Sequence, residues 1–537
     1  MQNGSPPSHA FTTAAPRRRL RVCLLNPTHT AIGSRIPSDH LPPLGLLAVG
    51  GPLLDDGFAV RLVDADRAAL SARDAVAAVL GQPVDVVMIG HAGSSSAHRT
   101  VLNLALRLKR IHPRVVIVCG GVHPTYHWRE VLEQCKAIDF VVRGEGERTT
   151  RDLLRLLEAG ADFRQLPGIA WREGNVAVAS PKAPMLENLD DWRVGWELIS
   201  HADYSYWGGM RAVVVQFSRG CPYLCSYCGQ RGFWTRWRHR DPVRFAAELA
   251  RLHREHGVQL INFADELPTG SRKAWKAFLE ALIAENVPLT LVGSTRAGDI
   301  VRDADILHLY KRAGVIRFLL GIESYSEATL AAIRKGASES EDREAIRLLR
   351  RHGILSMATC VLGFDEKSDA DFLRTLRHLL DYDPDQIQTL YATPHRWTPF
   401  YGTVAQRRVL EPDTRKWDYK HQVLETPGVP AWRVFAWVKF IELAVQLRPK
   451  ALRRTFFNSD PDQAHAMRWY TAIGRKVWFH EVAEFLFFRR HLQSPPTLQS
   501  FAGDSMADEE DAMAIAPSTS RRVPVAVHAQ RYRASLG

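Results

Sequence analysis

Apolar residues in the first third of the chain fall into short continuous runs, with helical periodicity between them. Runs at 20–25, 59–63, 84–89, 115–119 and 140–142 have the length of buried strands. Between them, Val101, Leu104, Ala105 and Leu108 recur at i, i+3, i+4, i+7, which predicts a helix over 100–111. Five strands alternating with helices predict a doubly wound, flavodoxin-like α/β domain over residues 19–160. A hairpin is expected at 168–180, turning at Glu173-Gly174-Asn175, inside a connecting segment 161–210.

A second series follows, with strands expected at 213–217, 260–264, 290–293, 318–322, 357–362 and 387–390. Helical sequence follows each of the first five. Asp241-Pro242 has the cap-then-proline form of a helix start, and Gly257 is the matching stop. Trp275, Phe278, Leu279, Leu282 and Ile283 form an apolar stripe that reads as core. Six such units over 211–400 predict a partial (βα)6 barrel, with its site at the C-terminal rim of the strands. Residues 401–493 read as helical. The ends, 1–18 and 494–537, are expected to be mobile tails.

Composition narrows the class. The chain has 537 residues, 46% hydrophobic and 24% charged, which fits several globular domains. No segment has the ~20 successive apolar residues of a membrane span, and the start has no apolar signal region, so a cytoplasmic protein is expected. The net charge of +12 suits an anionic partner but is spread along the chain. Seven cysteines in so long a chain do not form a disulfide framework, yet three fall between 221 and 228.

Small residues mark the strand ends of the first domain. Gly90 to Ser96, including Ser94, then Gly120-Gly121 and Arg143-Gly144-Glu145-Gly146-Glu147 would let a flat or phosphate-bearing ligand approach the backbone. The sharper signal is Cys221-Pro222-Tyr223-Leu224-Cys225-Ser226-Tyr227-Cys228, a C-x3-C-x2-C array directly after the first barrel strand. Three thiolates can hold three irons of a four-iron cluster and leave the fourth open. A zinc site would need a fourth donor, for which His239 is a candidate.

That spacing, the aromatic Tyr227 and the six-unit barrel resemble the radical S-adenosylmethionine (SAM) superfamily. The resemblance implies a [4Fe–4S] cluster on Cys221, Cys225 and Cys228, with SAM on the open iron as source of a 5′-deoxyadenosyl radical. It further implies SAM contacts from Asp265 and Glu266, Ser294 and Arg296, and Glu323, each at a strand end. The first domain resembles the cobalamin-binding domain of the B12-dependent class, which implies cobalamin near Gly90, Ser94, Gly120, Gly121 and Glu145. The Asp-x-His-x-x-Gly motif for a lower axial histidine is absent, since the loop reads Asn26-Pro27-Thr28-His29-Thr30-Ala31. Whether His29, His40, His91 or His123 meets the corrin stays open.

Over roughly residues 20 to 490 the chain resembles the anaerobic magnesium-protoporphyrin IX monomethyl ester oxidative cyclases. The stretches that carry this are His127 to Leu132, Arg143 to Glu147, Tyr206 to Pro242 and Tyr391 to Pro399. The resemblance implies a magnesium-porphyrin substrate, closure of ring E, and reduced ferredoxin or flavodoxin as electron donor. Aromatics and cations interleave from Phe233 to Arg240, so Trp234 and Arg236 are candidate porphyrin contacts. His395 and Arg396 end the sixth strand on the same rim. Two other classes remain in view. One is a cobalamin-dependent radical SAM methyltransferase acting on a tetrapyrrole, lipid or natural product. The other is an RNA-acting module, for which no extra C-terminal RNA-binding domain is visible; nucleic acid is therefore not an expected partner.

Overall fold

The computed structural model describes residues 19–28, 39–90, 95–230, 232–488 and 494–501. Its first sheet holds β1 (Arg21–Asn26), β2 (Ala59–Asp64), β3 (Val86–Gly90), β4 (Val116–Gly120) and β5 (Phe140–Val142), all parallel, in the order β2-β1-β3-β4-β5. Helices cover both faces. Leu25, Val87, Ile117 and Val141 pack into one core layer, and Leu24, Met88, Val118 and Phe140 into the other. Burial on both sides is why these strands read as unbroken apolar runs.

The hairpin, β6 (Ile169–Glu173) and β7 (Val176–Ala179), is more than a connector. It adds two antiparallel strands beside β5, because Ile169 and Trp171 continue the apolar face of Phe140 and Val142.

The second sheet begins with a short antiparallel edge, β8 (Ser205–Tyr206), next to β9 (Met210–Val215). Five further parallel strands follow in chain order: β12 (Leu260–Phe263), β13 (Thr290–Thr295), β14 (Val315–Glu323), β15 (Leu355–Leu362) and β16 (Gln386–Tyr391). A two-residue ribbon, β10 (Ser218–Arg219) with β11 (Arg238–His239), stands between β9 and β12. The helices pack as their sequences require. Asp241 accepts from the backbone N–H groups of Val243 and Arg244, and Gly257 closes the helix at φ 65°. Trp275, Phe278, Leu279 and Leu282 are buried in the barrel core.

The C-terminal region departs from its reading in two places. Residues 404–430 are largely irregular, held by isolated bridges such as Val409 with Leu424. Pro412, Pro427, Gly428 and Pro430 punctuate that stretch. Residues 494–501, expected within a mobile tail, instead return to the body. Arg408 bridges Thr497, Leu498 is fully buried, and Phe501 stacks on Trp417. The rest of the expected tail, 502–537, lies outside the described residues. Three helices, Ala431–Leu447, Pro449–Phe456 and Pro461–Phe487, complete the region.

The carboxyl rims of the two sheets face one another. Tyr126, beyond β4, stacks on Trp397, beyond β16, at 5.4 Å and 3°. Glu145, beyond β5, meets Arg219 and Arg238 of the ribbon beyond β9. Both ligand-binding edges therefore border one gap.

Candidate active site

The cysteine loop is pinned at each end. Gly220 sits at φ 94°, and a Cβ there would come within 2.4 Å of the Arg236 carbonyl, so only glycine fits. Ser226 N–H donates to Ile333 O at 2.8 Å, and Phe400 N–H donates to Ser226 O at 3.0 Å. Tyr227 packs edge-on to Phe364 at 5.4 Å. Cys221, Cys225 and Cys228 are free and partly buried between these anchors. Burial first, with the charges of Cys225 and Cys221 adding to it, pushes the Cys228 thiol up to about 11. Three thiols gathered on one loop can hold metal as thiolates, because a bound cation displaces their protons.

Among the described residues, no three His, Cys, Asp or Glu side chains converge on one single-ion position. The proposed fourth zinc donor is occupied elsewhere: His239 Nδ1 lies 2.7 Å from Arg240 O, and its ring packs between Phe217 and Trp237. The donor set that remains is three thiols on one loop, which suits a four-iron cluster with an open corner.

The two acids after β12 take different jobs. Asp265 is buried, and its carboxylate accepts from Phe217 N–H at 3.1 Å and from both the N–H and hydroxyl of Ser218. Those bonds pull the chain out of β9 two residues before the expected strand end. Burial pushes the Asp265 carboxyl up to about 7. Asp265 thus sets the start of the cysteine loop, rather than presenting a free carboxylate for SAM. Glu266 faces the loop, with Oε2 accepting from Gly220 N–H at 3.3 Å.

Further along the rim, Ser294 lies in β13 and is partly exposed, while its neighbour Thr295 is buried against Thr269 at 2.6 Å. Arg296 lies over the Tyr223 ring of the cysteine loop at 3.6 Å and donates to the carbonyls of Lys335 and Gly336, both at 2.6 Å. Glu323 adopts φ 67°, a costly conformation for a residue with a side chain. Lys335 holds it there through a buried ion pair at 2.9 Å. Lys335 was not visible as a site residue, because nothing in sequence ties it to the end of β14.

In the first domain, Gly90 and Gly120 are paired neighbours at the strand ends, and Gly121 starts the next helix at φ 124°. Ser94, His29 and His91 lie outside the described residues. Glu145 requires correction. Its side chain is 3% exposed, and its carboxylate accepts from Arg238 at 2.9 and 3.0 Å, Arg219 at 3.2 Å and Leu186 N–H at 2.7 Å. Glu147 takes the other arm of Arg219 at 2.6 Å. These glutamates dock the two domains and leave Glu145 no oxygen turned toward a corrin. Of the remaining histidines, His40 accepts at its carbonyl from Ser205 N–H, and His123 is buried with its ring against His98 and His127.

The aromatic-basic run divides the same way. Trp237 donates to Leu267 O at 2.9 Å, Arg238 is held by Glu145, and Arg240 donates to Trp192 O at 3.2 Å. Trp234 and Arg236 stay outside that framework, Arg236 exposed and Trp234 edge-on to Phe233 at 4.8 Å. Arg396 crosses to Glu130 of the first domain at 2.8 Å. His395 is buried, lies flat on Trp397 at 4.8 Å and shares a hydrogen bond with Tyr419 at 2.5 Å. Burial holds it down at about 4, so it is a neutral imidazole near neutral pH.

Four buried polar atoms around the gap, His395 Nδ1, His127 Nε2, Trp234 Nε1 and Gln230 Oε1, have no hydrogen-bond partner among the described residues. His127 and His395 both lie against Trp397, so two of these atoms border one place, which suits a polar ligand. Tyr126, His127, Trp397 and Tyr419 belong to this lining. Their roles were hidden because they come from both domains and from the irregular segment.

Comparison with known proteins agrees with this architecture. A model of the radical SAM superfamily matches residues 215–379, and one of the B12 binding domain matches residues 30–154. A Synechocystis sp. protein named anaerobic magnesium-protoporphyrin IX monomethyl ester cyclase is 54% identical, over 92% of this chain and 99% of its own length. A Rubrivivax gelatinosus protein of the same name is 32% identical, over 72% of this chain and 70% of its own. In fold, the chain matches the radical SAM methyltransferase TsrM of Kitasatospora setae, solved with cobalamin and a [4Fe-4S] cluster. The TM-score is 0.64 at 16% identity, covering 87% of this chain and 100% of that one.

Proposed function

The chain belongs to the anaerobic magnesium-protoporphyrin IX monomethyl ester cyclases, and from that premise we propose that it closes ring E of magnesium-protoporphyrin IX 13-monomethyl ester. The product is 3,8-divinyl protochlorophyllide, with the new ketone oxygen taken from water, in bacteriochlorophyll biosynthesis. The observation that carries this reading is 54% identity sustained over 92% of the chain, which spans both domains and the helical region. The enzyme is a radical SAM oxidoreductase whose cofactors are a [4Fe–4S] cluster, SAM and cobalamin. When bound, they supply a 5′-deoxyadenosyl radical able to take hydrogen from an unactivated carbon.

The chain's own residues divide the remaining work. Cys221, Cys225 and Cys228 would hold the cluster, and Glu266, Ser294, Arg296 and Glu323 border the place for SAM. Asp265 and Lys335 act through others, Asp265 by setting the loop and Lys335 by fixing Glu323. Gly90, Gly120 and Gly121 stand at the facing rim, where the corrin would lie. Trp234 offers a flat face to a macrocycle, Arg236 offers a cation for propionate, and Trp397 positions His395 by stacking on it. His395 is neutral and keeps Nδ1 free of protein partners, so it can hold magnesium or accept a proton. The reading places the enzyme in the cytoplasm, with reduced ferredoxin or flavodoxin as donor.

The test is anoxic incubation of cluster-loaded protein with the magnesium-porphyrin ester, SAM, cobalamin and a reductant. A protochlorophyllide absorption spectrum is expected. Its absence with the cluster intact would reject the reaction, and a labelled methyl group moving from SAM to product would favour a methyltransferase instead.

A further inference from the structure

The three C-terminal helices and the residues that close them carry most of the large exposed hydrophobic side chains of the described chain. Of the seventeen large exposed hydrophobic residues among those described, eleven lie between Trp432 and Phe488. The helix Ala431–Leu447 is apolar on two faces. Val434, Val438, Ile441 and Val445 point into the protein and are buried. Trp432, Phe440, Leu443 and Leu447 fall within a separate stripe about 80° wide, and all four are exposed. A helix apolar on both faces is normally covered on both.

The pattern continues into the next two helices. Phe456 and Phe457 project at 61% and 82% exposure. In Pro461–Phe487 the buried positions are Ala464, Ala466, Met467 and Glu481, and the distal half presents Phe479, Leu486 and Phe487 to solvent. No described helix is long and apolar enough to cross a membrane.

Charge tells what covers this surface. The exposed charged positions on these helices are Arg433, Lys450, Arg453, Arg468, Arg475 and Lys476, against the single acid Asp462. The other acids are turned away into pairs. Glu442 and Glu481 hold Lys439, Glu484 holds Lys416 and His421, and Asp460 holds Lys311. An apolar face of Trp, Phe and Leu among cations, with anions withdrawn, complements a surface that is oily beneath and negative at its edge. Arg433 pairs with Asp369, and a second copy would bring the other five cations against these and repel.

We propose that this helical region docks the enzyme onto the surface of an anionic lipid bilayer, its exposed aromatic and leucine side chains entering the headgroup boundary. The proposal goes beyond the reaction assigned above, and its test does not read activity. Full-length, cluster-loaded protein is sedimented with vesicles of phosphatidylglycerol and phosphatidylcholine, or of phosphatidylcholine alone. Binding is expected at least about tenfold tighter to the anionic vesicles, weakening as salt rises from about 50 to about 500 mM. Phe456→Ser combined with Phe457→Ser and Phe479→Ser should lower binding to anionic vesicles at least about tenfold with an unchanged Tm, because these side chains touch no core. Arg453→Gln with Arg475→Gln and Lys476→Gln should remove the preference for anionic lipid. The proposal is overturned if the wild type stays in the supernatant with anionic vesicles, or if the phenylalanine variant binds as well as wild type. It is equally overturned if ultracentrifugation shows a dimer that the phenylalanine variant dissociates while vesicles are not bound.

Discussion

Arg238 grips both carboxylate oxygens of Glu145, at 2.9 and 3.0 Å, although one residue follows the first barrel strand and the other lies beyond the last parallel strand of the first domain. Arg219, two residues before Cys221, shares the same carboxylate and reaches Glu147 as well. The position of the cysteine loop is thus tied to the first domain. Buried pairs of this kind contribute little against an apolar replacement, but breaking one leaves charge stranded.

Glu145→Ala should therefore cost roughly 3–5 kcal/mol. Denaturant unfolding would measure the loss, and limited proteolysis should cut the connector between Ala179 and Met210 faster than in wild type. Arg396, whose pair with Glu130 is half exposed, should cost no more than about 1 kcal/mol when changed to alanine.

Asp265 and Glu266 should separate in behaviour. Asp265→Ala unties Phe217 and Ser218, so lower stability and poor cluster incorporation are expected together, seen as reduced iron content and visible absorbance. Glu266→Gln should keep both and instead raise the KM for SAM by about tenfold, the usual scale for one hydrogen bond to a charged group. Equal behaviour of the two variants would contradict the division drawn from their partners.

Asp342 is fully buried, and neither carboxylate oxygen has a hydrogen-bond partner among the described residues. Burial, opposed in part by Lys335 and aided by Glu323, pushes it up to about 8. A carboxyl whose folded value lies above its unfolded one costs nothing below about pH 4 and increasingly destabilises as pH rises toward 8. Asp342→Asn should thus raise Tm, by little at pH 5 and more at pH 8, with a gain of roughly 1–3 kcal/mol at the upper end. A gain that shrinks with rising pH would refute this account.

His395→Gln should leave iron content and Tm close to wild type while lowering kcat roughly 10²–10⁴-fold if the imidazole moves a proton. Tyr419→Phe removes the hydroxyl at 2.5 Å and should shift the pH profile of kcat more than its maximum.

The sequence by itself determined the two α/β layers, their parallel strands, the helix start at Asp241-Pro242 and the gathering of three cysteines on one loop. These are local properties, since periodicity, a cap or three thiols on one loop involve residues close in the chain. It also carried the family through motifs at strand ends. Only the tertiary structure decided what each rim residue spends its polar atoms on. Glu145 read as a ligand contact because it follows a strand in a glycine-rich loop, and Arg238 stood unassigned in a run of aromatics and cations. Folding brings them together and commits each to the other. Asp265 turned from SAM contact to loop anchor for the same reason, and Tyr419 entered the site from an irregular stretch that has no periodicity to read. Residues 494–501 look solvated by composition, yet Leu498 finds a buried place. Which polar group is free for chemistry depends on partners distant in sequence, and no local pattern encodes them.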